Sequence, residues 1–354
     1  MVLLHCQIKV VKLTPNRMKL RYIILISAVV AICTSCSKSS GIDKKEQADK
    51  VVGIAWREDS DKEGFTDVVC SFNSIGIKAV LLPQVVDYDI TYNGNKVSSE
   101  CIDANGILKQ EWADLVKKNT YSNSNVASAV NNVIAVVFTG GEDIAPTLYR
   151  VPQAWHGPEK DKEFNATRDI SDYLLMSYSI DKDIPLMGIC RGCQLLGIVS
   201  GATMIQDIPS WFAAQDIKYD YIHRPEDTAS EDSDYVPHDV TAVPGSRLAE
   251  FTGTTTINNV PSWHHQCLST VDGNCLKVTG TTFTNGFDFI EAIERTDRSL
   301  AIGLQFHPEV SIVKHVNKSP NESNYMNYTK AQSIFRNFVN KSCEIIQGRV
   351  ERPY

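Results

Sequence analysis

The chain has 354 residues, a formal net charge of −7 and a 43% hydrophobic composition, the make-up of a folded protein with a sizeable core, which excludes a disordered chain. Its mild acidity, with no Lys/Arg block in the body of the chain, leaves no basic stripe for nucleic acid. Length alone allows one large α/β domain or two smaller ones.

The N-terminal segment differs from everything after it. From Met18, "MKLRYIILISAVVAICTSCSKSS" has a basic start (Lys19, Arg21), an apolar stretch over 22–32 and small residues before Cys36. This is the layout of a secretory signal, and the apolar run is too short to span a bilayer comfortably. Residues 1–35 are therefore expected to be a signal with its true start at Met18, and the chain to be exported. Cys36, preceded by Thr34 and Ser35, resembles the lipidated cysteine of a bacterial lipoprotein, although Cys33 stands where that pattern normally has Leu. A lipid anchor at Cys36 would make the membrane a partner, with residues 36–50 as a polar tether. A single domain is then expected over 51–345, with a tail at 346–354. Export would permit disulfides, but seven cysteines remain after Cys36. That odd number leaves at least one thiol free.

"VVGIAW" (51–56) and "IKAVLLP" (77–83) read as buried parallel strands around a helix at 64–74, a βαβ unit. "VIAVVFTGGEDIAP" (133–146) supplies another strand, ending in a glycine pair, and "IPLMGIC" (184–190) a fourth. Repeated strand, turn and helix predict an α/β fold with a doubly wound, mostly parallel sheet. Chemistry in such sheets gathers at the carboxyl ends of the strands, where Gly140, Gly141 and Cys190 fall. From about residue 236 the short alternating segments "HDVTAV", "CLKVTG", "DFIEAIER" and "LAIGLQFHPE" predict added, partly antiparallel strands in the same domain, before a helix at 330–341. Residues 88–131, with a helix at 108–118, and residues 211–235 are long polar insertions of the kind that act as lids. Both are expected to shape substrate choice.

Cys190 lies where a strand runs through a tight turn into a helix, so the helix dipole and free N–H groups would favour a thiolate. Gly188 and Gly192 would permit the turn. In "QFHPE" (305–309) a strand ends in His307 with Glu309 two residues later, a general base and a group to hold its imidazole, as a Cys/His/acid triad requires. The two halves lie far apart in sequence, so only the fold can join them. Cys190-Arg-Gly-Cys193 is also formally C-x-x-C, like a thioredoxin-type redox pair. That reading leaves His307, Glu309, Gly141 and "HHQ" (264–266) without a role, and it survives as a regulatory disulfide between Cys190 and Cys193.

Taken together, "GICRGCQLLGI…GATMIQDI", "FTGGEDIAPTLY", "RDISD", "SWHHQ", "IEAIE" and "GLQFHPE" resemble the class I glutamine amidotransferase-like family. Within it they resemble the γ-glutamyl hydrolase branch, which includes γ-glutamyl-γ-aminobutyrate hydrolases, and the resemblance runs over about 51–340. It implies a flavodoxin-like sheet, Cys190 as nucleophile, His307 as base and then acid, and Glu309 as the group orienting it. It also implies an oxyanion hole from the backbone N–H groups of Gly141 and Arg191, and substrate contacts from Gln194, His264, His265 and Gln266. The implied reaction is hydrolysis of the γ-glutamyl amide of a small molecule or peptide through a thioester, with no metal or organic cofactor. A zinc reading of the adjacent His264 and His265 is disfavoured because neighbours on a strand point to opposite faces. Gly197, where relatives often have Asn, and Asp172, where Glu is common, leave the substrate open. One alternative is an ammonia-donating glutaminase subunit, disfavoured because only a helical tail follows His307 and an exported anchor would separate it from cytosolic biosynthesis. Another is a non-catalytic γ-glutamyl-binding lipoprotein.

Overall fold

The computed structural model describes residues 51–58, 63–230, 233–271 and 273–351. The expected signal, Cys36 and the tether lie outside the described residues. Strand β1 (Val51–Ile54) leads through helix α1 (Glu63–Ser74) into β2 (Lys78–Leu81), its parallel neighbour. A short hairpin, β3 (Tyr92–Asn93) with β4 (Lys96–Val97), precedes helices α2 (Gln110–Asn119) and α3 (Val126–Ala129). Next come β5 (Ala135–Phe138), α4 (Ala166–Asp181), β6 (Leu186–Ile189) and α5 (Arg191–Val199). They are followed by β7 (Thr203–Ile205), α6 (Ile208–Ala213), β8 (Val236–Ala242), α7 (Arg247–Thr252) and β9 (Thr256–Ser262). The chain continues through β10 (Cys267–Thr270), β11 (Leu276–Thr284), β12 (Phe287–Arg295), β13 (Ala301–Leu304), α8 (Pro308–Val316) and α9 (Tyr328–Glu351).

Nine strands form one sheet in the order β2-β1-β5-β6-β13-β12-β11-β8-β9. From β2 to β13 all neighbours are parallel, and from β13 to β9 all are antiparallel. This is the expected α/β architecture, and the sequence shows why it divides there. The central strands read AVVF, LMGI and AIGL and are buried throughout, because helices cover both faces of a parallel sheet. Strand β8 alternates buried and exposed residues, the pattern of a strand with one wet face. Helices α2 to α5 pack on one face through Val116, Ala129, Ile170 and Leu196. Helices α1, α7, α8 and α9 cover the other through Phe72, Phe251, Ile312 and Phe335.

The last parallel strand in sequence, β13, inserts beside β6, with Leu304 opposite Ile189. The residues just beyond both strands, Cys190 and 305–309, are thereby carried to the same edge of the sheet.

Two expectations are corrected. Residues 88–131 are not a lid: they carry β3, β4, α2 and α3, and they bury Val97, Leu108, Val116 and Ala129 in the core beneath α4. Nor does a separate tail begin at 346, since α9 continues to Glu351. Among the described residues no helix is long and apolar enough to cross a membrane.

The docking of α9 rests on an edge-to-face contact between Phe335 and Phe72, with ring centroids 5.2 Å apart. Phe335 is fully buried, so Phe335→Ala is expected to cost about 3–5 kcal/mol, read as a lowered urea midpoint with an unchanged slope.

Candidate functional site

Cys190 is the N-cap of α5 and adopts φ 51°, ψ −105°, a left-handed backbone that a residue with a Cβ adopts only under strain. The two flanking glycines make the elbow possible by close approach and not by conformational freedom, since neither has positive φ. A Cβ at Gly188 would collide with the carbonyl of Gly192, and one at Gly192 would sit 2.5 Å from the Phe138 carbonyl oxygen. The start of α5 can therefore press directly on β5 and β6. The Cys190 N–H donates to Leu304 O at 2.7 Å, and the Gln305 amide reaches its Sγ at 3.6 Å.

His307 is the N-cap of α8, with Pro308 at the first helical position and Glu309 in the first turn, a placement proline favours. Its N–H donates to Pro261 O, and its Nδ1 lies 2.7 Å from Glu309 Oε1. Gly140 packs against both this imidazole and Cys190. A Cβ built there would meet His307 Cε1 at 2.8 Å, Cys190 Cβ at 3.5 Å and His307 Nε2 at 3.7 Å. His307 Nε2 is buried and makes no hydrogen bond. Burial disfavours the charged ring, but the Glu309 carboxylate and the Cys190 sulfur outweigh it and push the imidazole up to about 10.

Beneath the glycine turn lies a buried lattice of charges that sequence reasoning missed. Arg191 turns its guanidinium away from the cavity, onto Asp172 at 2.6 Å and Asp169 at 2.5 Å. Arg168 joins Asp172 at 3.2 Å, pairs closely with Glu142, and donates to Gly140 O at 2.8 Å. Arg57 reaches Thr139 Oγ1 and Gly140 O. Gly141 has φ 132°, and a Cβ there would run into the Arg168 guanidinium. Burial pushes the Asp169 carboxyl up to about 7 against the pull of Arg191. Arg168, Asp169 and Asp172 are all buried on α4, which only the tertiary structure shows.

These elements border a cavity of about 280 Å³ lined by Gly141, Cys190, Gln194, Arg224, His265 and Gln266, among others. Gln194 donates to Gln266 O at 3.2 Å. His265 stands between Asp207 at 3.0 Å and Asp143 at 3.2 Å. Burial opposes its charge, but the two carboxylates raise it to about 9. Both polar atoms of the Gln266 amide are buried without a hydrogen-bond partner. His264 contributes to the wall, yet its Nδ1 donates to Gln266 O at 2.9 Å and its Nε2 lies 3.4 Å from Glu291, so its ring nitrogens are engaged elsewhere. His264 and His265 do diverge, but from a loop between β9 and β10 and not from a strand. Of the two insertions, 211–235 supplies Arg224 and Thr228, whereas 88–131 supplies no lining residue.

The redox pair is not formed. Cys193 packs in the core, where a Cβ on Gly303 would meet its Sγ at 2.8 Å, and burial pushes its thiol well up. Cys190 and Cys193 form no disulfide with one another.

Fold and site together define an α/β protein with a cysteine at a strand-to-helix elbow. The Peptidase C26 family profile matches residues 96–309. A Schizosaccharomyces pombe protein described as a candidate glutamine amidotransferase is 30% identical over 60% of this chain and 77% of its own length. Protein NtpR of Enterococcus hirae is 30% identical over 54% of this chain and 73% of its own. Among solved structures, a glutamine amidotransferase from Thermotoga maritima aligns over 82% of this chain and 98% of that one, at 14% identity and a TM-score of 0.44. The chain belongs to the Peptidase C26 family, and with that comes a hydrolytic or amidotransferase-like enzyme.

The pairing with Glu309 sets the charge on His307. Its folded value of about 10 lies above the ordinary 6.5, so its contribution to stability is complete below pH 6.5 and is lost as pH rises through 10. Glu309→Gln is expected to lower the titration midpoint of His307, read by ¹⁵N NMR of the ring, and to remove this alkaline limb of stability. A midpoint unchanged in the variant would refute the assignment.

Proposed function

We propose that the protein is a γ-glutamyl hydrolase, cleaving γ-glutamyl amide bonds of small compounds or peptides through a thioester on Cys190. The observation that carries this reading is the approach of His307 to Cys190 beside Gly140, with Glu309 behind the imidazole. The Cys190 thiolate attacks the γ-carbonyl, and the backbone N–H groups of Gly141 and Arg191 donate to the developing oxyanion. Collapse expels the amine, which takes the proton from His307 Nε2. The neutral imidazole then accepts a proton from water as the water attacks the thioester, releasing glutamate and restoring the thiolate and imidazolium. Glu309 keeps the ring oriented throughout.

The cavity suits a glutamyl head, which carries an α-carboxylate and an α-ammonium. Arg224 offers a partner for the first, Glu142 and Asp143 for the second. The unpartnered Gln266 amide offers a neutral hydrogen-bonding group. Glutamine is itself a γ-glutamyl amide, so the names of the relatives favour a second reading, a glutaminase, that differs only in the amine released.

Release of glutamate from γ-glutamyl-γ-aminobutyrate, a γ-glutamyl polyamine, a γ-glutamyl peptide, a folate polyglutamate and glutamine separates the two. At least one substituted amide is expected to exceed glutamine in kcat/KM by about tenfold or more; a preference for glutamine would give the second reading. Cys190→Ala is expected to abolish turnover with an unchanged circular dichroism spectrum, and full activity in that variant would exclude the thioester. Export and anchoring at Cys36 belong to the same proposal and rest on the sequence. Cys36→Ser is expected to move the protein from the membrane to the soluble fraction, and unaltered fractionation would count against the anchor.

A further inference from the structure

We propose that His223, His238, His264 and Glu291 bind a divalent transition-metal ion of the zinc type, which fixes the substrate end of the cavity from behind. This revises the expectation of no metal, and it stands apart from the γ-glutamyl reading, because none of the four takes part in the proposed reaction.

The residues come from four separate pieces of chain: the segment after α6, strand β8, the loop between β9 and β10, and strand β12. His223 Nδ1, His238 Nε2 and His264 Nε2 lie 3.2, 3.3 and 3.4 Å from a single oxygen, Glu291 Oε1. The donor atoms of His223, His238 and Glu291 all fall within 4.8 Å of one another, and His264 joins them through the shared oxygen. No side chain in the set is more than 4% exposed. Although the separations are those of ion pairs, none of these nitrogens and neither oxygen of Glu291 is aligned for a hydrogen bond. Groups buried so deeply are expensive to leave unsatisfied.

The tautomers indicate what is missing. His238 Nδ1 donates to Ile222 O at 3.0 Å, and His264 Nδ1 donates to Gln266 O at 2.9 Å. A carbonyl only accepts, so these Nδ1 atoms carry hydrogens, and each ring, when neutral, presents its Nε2 lone pair to a carboxylate. Such an arrangement is repulsive until a cation sits in its midst. A proton could bridge one of the three N···O contacts; a metal ion can use them all. Ligand atoms bound at about 2.0–2.1 Å around a tetrahedral ion stand about 3.3–3.4 Å from one another, which matches the three nitrogen-to-oxygen separations here. Backbone carbonyls that hold imidazoles by the far nitrogen are the customary outer support of a metal site. Three imidazoles and one carboxylate suit zinc or a neighbouring ion better than calcium or magnesium, which take oxygen. The burial of the whole set marks it as a closed, structural site.

Its position explains what it would do. The residues following two of the ligands, Arg224 and His265, line the cavity. His264 N–H donates to His223 O at 2.8 Å, so the two ligand-bearing loops are already joined, and an ion would lock them to the sheet through Glu291. A second group, Asp161, Asp207 and His265, lies on the cavity side, but His265 there is already bonded at both nitrogens.

The test uses the full chain purified without a histidine tag. Elemental analysis is expected to find about one equivalent of transition metal per chain. Stripping with dipicolinate should lower Tm, and zinc should restore it. Cobalt(II) added to the stripped protein should give visible d–d bands without a sulfur-to-metal charge-transfer band. Glu291→Gln is expected to weaken zinc binding by about tenfold or more, while Cys190→Ser and Asp207→Asn keep the metal. The proposal is overturned if stripped wild-type protein takes up neither cobalt nor zinc and its Tm does not move. It is equally overturned if binding survives in Glu291→Gln and His238→Gln but is lost in Cys190→Ser or Asp207→Asn. Should the ligand variants fail to fold, the cobalt spectrum of the wild type decides.

Discussion

The parallel pairing of β13 with β6 is the constraint on which the site depends. Leu304 opposite Ile189 sets the register, and the Cys190 N–H bonded to Leu304 O extends the ladder to Cys190 itself. The chain leaves β6 through a strained elbow and leaves β13 through Gln305 and Phe306 into the N-terminus of α8. A slip of one residue in either strand would turn the side chains of that strand to the opposite face. The long antiparallel pairs β11–β12 and β8–β9 lie to one side of β13 and hold that edge of the sheet in place.

A second constraint acts from below. Three guanidinium groups and two carboxylates are buried under the turn from Thr139 to Gly141, and the partly exposed Glu142 joins them from the cavity side. Burying ion pairs brings little net stability, but removing one partner from such a set costs about 3–5 kcal/mol, because the others are left without compensation. What the lattice contributes is position. Arg57 and Arg168 both hold the carbonyl of Gly140, and Arg191, the first residue of α5, is anchored at its far end by Asp169 and Asp172. The two backbone N–H groups proposed to receive the oxyanion are thus held by one rigid network, so little reorganisation is required when charge develops.

The cavity and the histidine cluster meet at two points in the chain, His223–Arg224 and His264–His265, where a member of the cluster is followed by a residue that lines the cavity. The charged partners of the cavity are therefore fixed from behind by interior polar contacts and not by apolar packing alone. The Cys190 end of the cavity and its far end thus rest on separate supports, the ionic lattice and the histidine cluster.

Local pattern made much of this legible. Uninterrupted apolar runs marked the parallel strands, alternation marked β8, and glycines around Cys190 marked an elbow, because burial on two faces, burial on one and close backbone approach each leave a distinct trace in adjacent residues. The motif around His307 and Glu309 was equally local, since two residues are enough to set the imidazole against its carboxylate. What only the tertiary structure decided was every pairing across distance. It placed β13 beside β6, gave Arg191 an interior role for its side chain, packed 88–131 into the core, and gathered His223, His238, His264 and Glu291 around one oxygen. Each of those partners lies on a different element, and no spacing in the sequence encodes which elements become neighbours. That choice belongs to the sheet order, which is settled by the burial of whole faces and not by any short run of residues.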